Sequence, residues 1–196
     1  MWWRFRESLG IKYDTWCGWF GGRQVVPLSC KGAPFWRVNK PGRQVMFSTY
    51  HLNHDTVKAF TAEIERRQLP WLHGYPSILH HLCKLAQQAG LPQLTCVKFV
   101  TTGGENLLPS YVETIKKTFP NAMVKTHYGL GEAVANISQT TEGGWVIDND
   151  FAAIELIEIQ SITPPPMPQR KPRVRNHALP HNRNKLLEPC LSARAV

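Results

Sequence analysis

Two glycine-bearing segments, each ending in a carboxylate, hold the residues of this chain best suited to chemistry: Thr101-Thr102-Gly103-Gly104-Glu105 and His127-Tyr128-Gly129-Leu130-Gly131-Glu132. Glycine at a turn lets backbone N–H groups approach a phosphate or a flat base with no Cβ in the way. Tyr128 offers an aromatic face, and Glu132 a hard oxygen of the kind that Mg2+ accepts beside phosphates. A nucleotide site is therefore the first functional reading. Glycine pairs mark ordinary turns far more often than ligand sites. On spacing alone, a sheet edge with one solvated carboxylate and one half-buried tyrosine is the stronger reading.

The surrounding pattern supplies the elements that would position these segments. Cys96 to Val100 and Ala122 to Thr126 are short apolar runs that predict buried strands leading into the two turns. Between them, Tyr111, Val112, Ile115 and Phe119 recur at a helical period over Pro109 to Phe119. The result is a strand, turn, helix, strand, turn unit with both turns at carboxyl strand ends, where open α/β sheets bind ligands. Upstream, Val57, Phe60, Ile64 and Leu69 predict a helix capped by Asn53 or Asp55. Pro70 to Gly74 reads as a strand and turn. A second helix follows Pro76, with Ile78, Leu79, Leu82, Leu85 and Ala86 inward and Gly90 closing it.

His80 and His81 lie on that helix, but adjacent helical positions point about 100° apart, so they read as packing or surface residues rather than ligands of one metal ion. Residues 1–50 are rich in Trp, Gly and Arg without a clear helical period. Val25 to Leu28 and Gln44 to Ser48 predict short strands there, with turns at Gly21-Gly22 and Lys40-Pro41-Gly42. The tryptophans read as core area. Further strands are expected at Gly143 to Ile147 and Ala153 to Ile159. The fold class is α/β, a sheet flanked by helices.

Net charge is +9 but uneven: from Ser161 onward seven Lys/Arg face only Glu188, whereas residues 1–160 hold 16 against 13 acids. The segment 161–196 also carries seven prolines and no aromatic residue, which predicts a disordered basic tail behind a domain at 1–160. Such a tail can hold nucleic acid or another anionic partner electrostatically, though it has nothing to stack on bases. No apolar run is long enough to span a bilayer. The opening residues lack the core of a signal peptide, so the default location is cytoplasmic. The five cysteines form no C-x-x-C pair and read as reduced structural thiols.

Taken in order, His73-Gly74-Tyr75-Pro76-Ser77, Thr101 to Glu105, Tyr128 to Glu132, and Gly144 to Ile147 through Ile154 to Glu158 resemble the phenylacetate-CoA ligase-like adenylate-forming enzymes, AMP-binding proteins of the acyl-CoA synthetase superfamily. Pro34 to Arg37 and Phe47 to Leu52 fit the branch associated with capsule polysaccharide biosynthesis. The resemblance covers about the first four-fifths of the chain. It implies a two-step reaction: a small-molecule carboxylate attacks the α-phosphate of Mg-ATP to give an acyl-adenylate and pyrophosphate, and a thiol such as coenzyme A then takes the acyl group. It implies that Gly103, Gly104 and Glu105 line the adenine, that Tyr128, Gly129, Leu130 and Gly131 flank the nucleotide, that Glu132 ligates Mg2+, and that Tyr75, Pro76 and His127 border the acyl pocket.

Departures from the family pattern are equally informative. The second turn of the family reads Tyr-Gly-x-Thr/Ser-Glu, and Gly131 stands where that hydroxyl would bond the α-phosphate. Losing one charge-assisted bond costs about 1.5–3 kcal/mol. No T-S-G-T-T-G-like phosphate loop precedes Glu132, no Gly-Asp follows for the ribose, and Lys185 lacks the context of the family's catalytic lysine. No catalytic residue is assigned. The expectation is a partial AMP-binding domain, an internal fragment of a ligase with little activity alone, whose remainder could be a separate chain. The abrupt change at Ser161 suggests a frameshift or an added extension. The alternative is a non-enzymatic basic module.

Overall fold

The computed structural model describes residues 2–129, 136–150 and 154. With Ile154 set aside, these lie in one unit, Met1–Ala152. The expected basic tail at 161–196, and all of the strand expected at 153–159 except Ile154, fall outside the described residues.

Eight strands form one mixed sheet: β1 (Cys17–Phe20), β2 (Trp36–Asn39), β3 (Gln44–Phe47), β4 (Trp71–Gly74), β5 (Phe99–Gly103), β6 (Met123–Gly129), β7 (Asn136–Gln139) and β8 (Trp145–Ile147). Their order across the sheet is β2-β3-β1-β4-β5-β6-β7-β8. The central five, β3 to β6 in that order, are parallel, while β2, β7 and β8 run antiparallel to their neighbours. Helices α2 (Val57–Arg66), α3 (Pro76–Gln88) and α4 (Pro109–Thr118) supply the crossovers that parallel strands require. Among the described residues no helix is long and apolar enough to cross a membrane.

Side chains alternate between the two faces of the strands. Phe20, Val45, Phe47, Leu72, Val100 and Val124 point into the main core with Phe60, Ile64, Leu79, Leu82 and Ile115 of the three helices. The other face carries Cys17 and Trp71, with Trp19, Phe99 and Met123 beside them, under Phe5 of α1 (Trp2–Ser8) and the following Leu9 and Ile11. The periodicity expected of α3 and α4 is observed, with Leu79, Leu82, Leu85, Ala86 and Ile115 all buried. His80 stacks on Tyr111 of α4, centroids 4.2 Å apart, in keeping with a packing role.

Several expectations need correction. Val25 to Leu28 is not a strand: Pro27 has no N–H to give a ladder, and its carbonyl instead accepts the Cys30 amide in a turn. The segment expected to lack helix contains α1, and β1 and β2 were not anticipated. Asn53 does not cap α2 directly; its Oδ1 takes the N–H groups of Asp55 and Thr56 ahead of the helix, which starts after Thr56. The strands into both glycine segments run further than the apolar runs suggest. β-Branched Thr101, Thr102 and Thr126 continue the ladders, so Gly103 and His127 are paired strand residues rather than turn residues.

Candidate functional site

The carboxyl ends of four parallel strands meet in register: Phe20 pairs with Gly74, Gly74 with Thr102, Thr102 with Thr126, and Gly103 with His127. Residues predicted from three separate sequence segments therefore share one edge. Gly74 is required there, because a Cβ would lie 2.6 Å from the Phe20 carbonyl oxygen. Tyr75 follows as the N-cap position of α3, with Pro76 at its first turn. Leu130, Gly131 and Glu132 lie outside the described residues.

The two glycines of the first segment do not leave open space, as an approach of phosphate to bare backbone would need. A Cβ on Gly103 would lie 2.5 Å from Cε1 of His127, and one on Gly104, where φ is +80°, would lie 2.9 Å from Cε1 of Tyr75. Both glycines thus seat side chains of the same edge. Glu105 is engaged as well: its carboxylate accepts the backbone N–H of Ser77 at 3.0 Å, where the first turn of α3 has N–H groups without helical partners. This contact joins the first glycine segment to α3. Tyr75 and Tyr128 remain 40% and 41% exposed, enough for each to offer part of a ring to a flat ligand.

His127 lies on the α1 side of the edge. Its Nδ1–H donates to the Thr102 carbonyl at 3.0 Å, and its ring centroid is 5.4 Å from that of Phe5 and 6.1 Å from that of His73. Burial holds the imidazole below its ordinary pKa, against the Thr102 bond and with a smaller push from Arg6. Deeper on the same face, Thr101 Oγ1 accepts the Trp71 indole N–H at 2.8 Å and shares a 2.8 Å hydrogen bond with His73 Nδ1. The His73 ring is tilted against Trp19 at 4.6 Å. Burial, helped by the charges of His127 and Arg6, pushes the His73 imidazole down to about 3. The Arg6 guanidinium lies between the indoles of Trp3 and Trp71, 4.3 and 4.2 Å from the ring centroids, and burial lowers it to about 10.

Sequence reasoning named His73 only within a motif and did not single out Thr101, Trp71, Trp19 or Arg6. The alternation of β4, Trp71 and His73 to one face and Leu72 to the other, is the signal that could have joined the first two. Thr102 Oγ1 is buried on the opposite face without a hydrogen-bond partner. Among the described residues no group of three His, Cys, Asp or Glu side chains could hold a metal ion.

No protein-family model matches the chain. It is 28% identical over 139 residues to Protein CapK of Staphylococcus aureus, covering 71% of this chain and 31% of that protein. Among solved structures, 2-hydroxyisobutyryl-CoA ligase in the postadenylation state with R3-HIB-AMP superposes with a TM-score of 0.55 at 16% identity, over 80% of this chain and 34% of the ligase. The same ligase with 2-HIB-AMP and CoA in the thioesterification state gives 0.53 at 16% identity, over 76% and 32%. The fold is that of part of an adenylate-forming CoA ligase. The chain spans about a third of the length of these relatives. Within that fold, the edge just described is the carboxyl end of the parallel strands, the position at which α/β sheets take ligands.

Proposed function

We propose that this chain forms the adenine- and acyl-facing part of an ATP-dependent, carboxylate-activating ligase of the phenylacetate-CoA ligase type, and that residues 1–160 are its partial adenylation domain. The observation that carries the reading is the registered meeting of Gly74-Tyr75, Gly103-Gly104 and His127-Tyr128 at one parallel-strand edge. The ligase fold and the similarity to CapK support it. In this reading Tyr128 and the Gly104 backbone border the adenine, while Tyr75, Pro76 and His127 border the acyl group. Glu105 positions the first glycine segment through α3. Bound Mg-ATP would supply the electrophilic α-phosphorus, with Glu132 as the Mg2+ ligand, and coenzyme A the acyl-accepting thiol.

The part of this chain's own residues is positioning and electrostatics, the main needs of attack on a phosphate. Neutral imidazoles at His73 and His127 keep additional positive charge from the acyl side, and the two half-exposed tyrosines provide flat walls. Binding of AMP to the chain, followed by calorimetry, tests the reading directly. Tyr128→Ala is expected to weaken it about tenfold through lost ring–base contact. Absence of saturable AMP binding at millimolar concentration would overturn it. Pyrophosphate release from ATP across a panel of aryl and acyl carboxylates then asks whether the chain alone completes adenylation.

A further inference from the structure

His127 has one nitrogen committed and one left over. A carbonyl oxygen only accepts, so the contact to Thr102 requires the hydrogen on Nδ1 and leaves a lone pair on Nε2. That lone pair has no hydrogen-bond partner among the described residues, and the ring is only half-buried at the strand edge. The ring is also held in place. Its Cε1 edge sits over Gly103, where any side chain would displace it, and Phe5 and His73 lie against it from α1 and β4. A fixed acceptor of this kind costs free energy if an apolar group covers it, and gains a hydrogen bond if a donor does.

Resting on the ligase reading above, we infer that His127 Nε2 accepts a hydrogen bond from the bound acid, so that the site selects carboxylic acids bearing an O–H or N–H donor over analogues in which that donor is methylated. The selectivity arises on the acyl side and leaves the nucleotide contacts of Gly104 and Tyr128 unchanged. Because the donor group of the ligand is neutral, ionic strength has little effect on it. His73, at the same face, is screened from direct contact by its own bond to Thr101 and by the Trp19 ring.

The test uses the full chain saturated with AMP and titrated calorimetrically with the three hydroxybenzoate isomers and their methyl ethers. At least one isomer is expected to bind about tenfold more tightly than its ether, a gap of the size expected for one polar group left unpaired at a partly exposed site. In His127→Phe the gap between each acid and its ether closes, whatever the change in the affinity common to both. Equal binding of every isomer and its ether, or a gap that persists in His127→Phe, overturns the inference and leaves the ligase reading intact. If none of the acids binds although AMP does, the inference is overturned and the ligase reading, which rests on AMP binding, stands; if AMP itself does not bind, the ligase reading fails. Nitrogen-15 spectra of the His127 ring in the unsubstituted chain give a second readout: a protonated Nδ1 and a bare Nε2 are expected, and the reverse tautomer overturns the inference whether or not the variant folds.

Discussion

His73 illustrates how a single side chain couples this edge to solution conditions. Its imidazole is buried and pushed down to about 3, whereas an unfolded chain titrates it near its ordinary value of 6.5. A base with a depressed folded pKa contributes no penalty above the unfolded value. As pH falls below 6.5 the unfolded state takes up a proton that the folded state refuses, so stability is lost progressively toward pH 3. By pH 4.5 this one group should have cost about 2–3 kcal/mol. Urea unfolding at pH 7.5 and 4.5 checks the value, with His73→Gln expected to flatten the difference by that amount. An unchanged difference in the variant would assign the acid sensitivity elsewhere. His127 adds to the trend in the same direction, since burial lowers its pKa too.

At the scale of elements, three of the four described α-helices, α1, α2 and α3, end by a shared device, whereas α4 ends at Phe119 with φ −118°. After α1 and α3, Gly10 at φ +81° and Gly90 at φ +62° let Ile11 and Leu91 donate back to Arg6 and Ala86 in Schellman closures. The third case differs, because α2 closes through Gln68 at φ +50°, with Leu69 donating to Ile64. A side chain in the left-handed region carries strain that glycine does not. Gln68→Gly should therefore raise stability by about 0.5–1 kcal/mol in thermal or urea unfolding, net of its exposed bonds to Glu65. A loss of stability would mean that those bonds outweigh the backbone strain. The closure matters to the site because Leu69, fixed by it, leads into Pro70 and β4, which carries Trp71 and His73 to the edge.

Across the whole molecule, the sheet is protected unequally at its two ends. The β2 edge presents the charged Arg37 beside Val38, which is 38% exposed, while β8 presents Trp145 and Val146, 55% and 52% exposed, on a strand whose outer side is unpaired among the described residues. Exposed apolar edge strands template association. Sedimentation velocity at increasing concentration is expected to show self-association that Val146→Lys suppresses; a wild-type chain that stays monomeric at high concentration would show that this edge is covered. Local sequence was sufficient for much of the fold. The period of α3 and α4, the stop at Gly90, the β4 run and the order of the glycine segments all depend on neighbours within a few positions, and so can be read from the chain itself. β1 could not be read in that way. It is buried on both faces and shows no alternation, and Gly18 is small because Leu72 of β4 occupies the space of its missing side chain. The site divides along the same line. Residue types and spacing determined which segments could do chemistry. Register across β4, β5 and β6 alone decided that His127 would close over Gly103, that Tyr75 would pack on Gly104, and that Glu105 would reach an amide 28 residues earlier, because each of those contacts takes its energy from strands paired far apart in sequence.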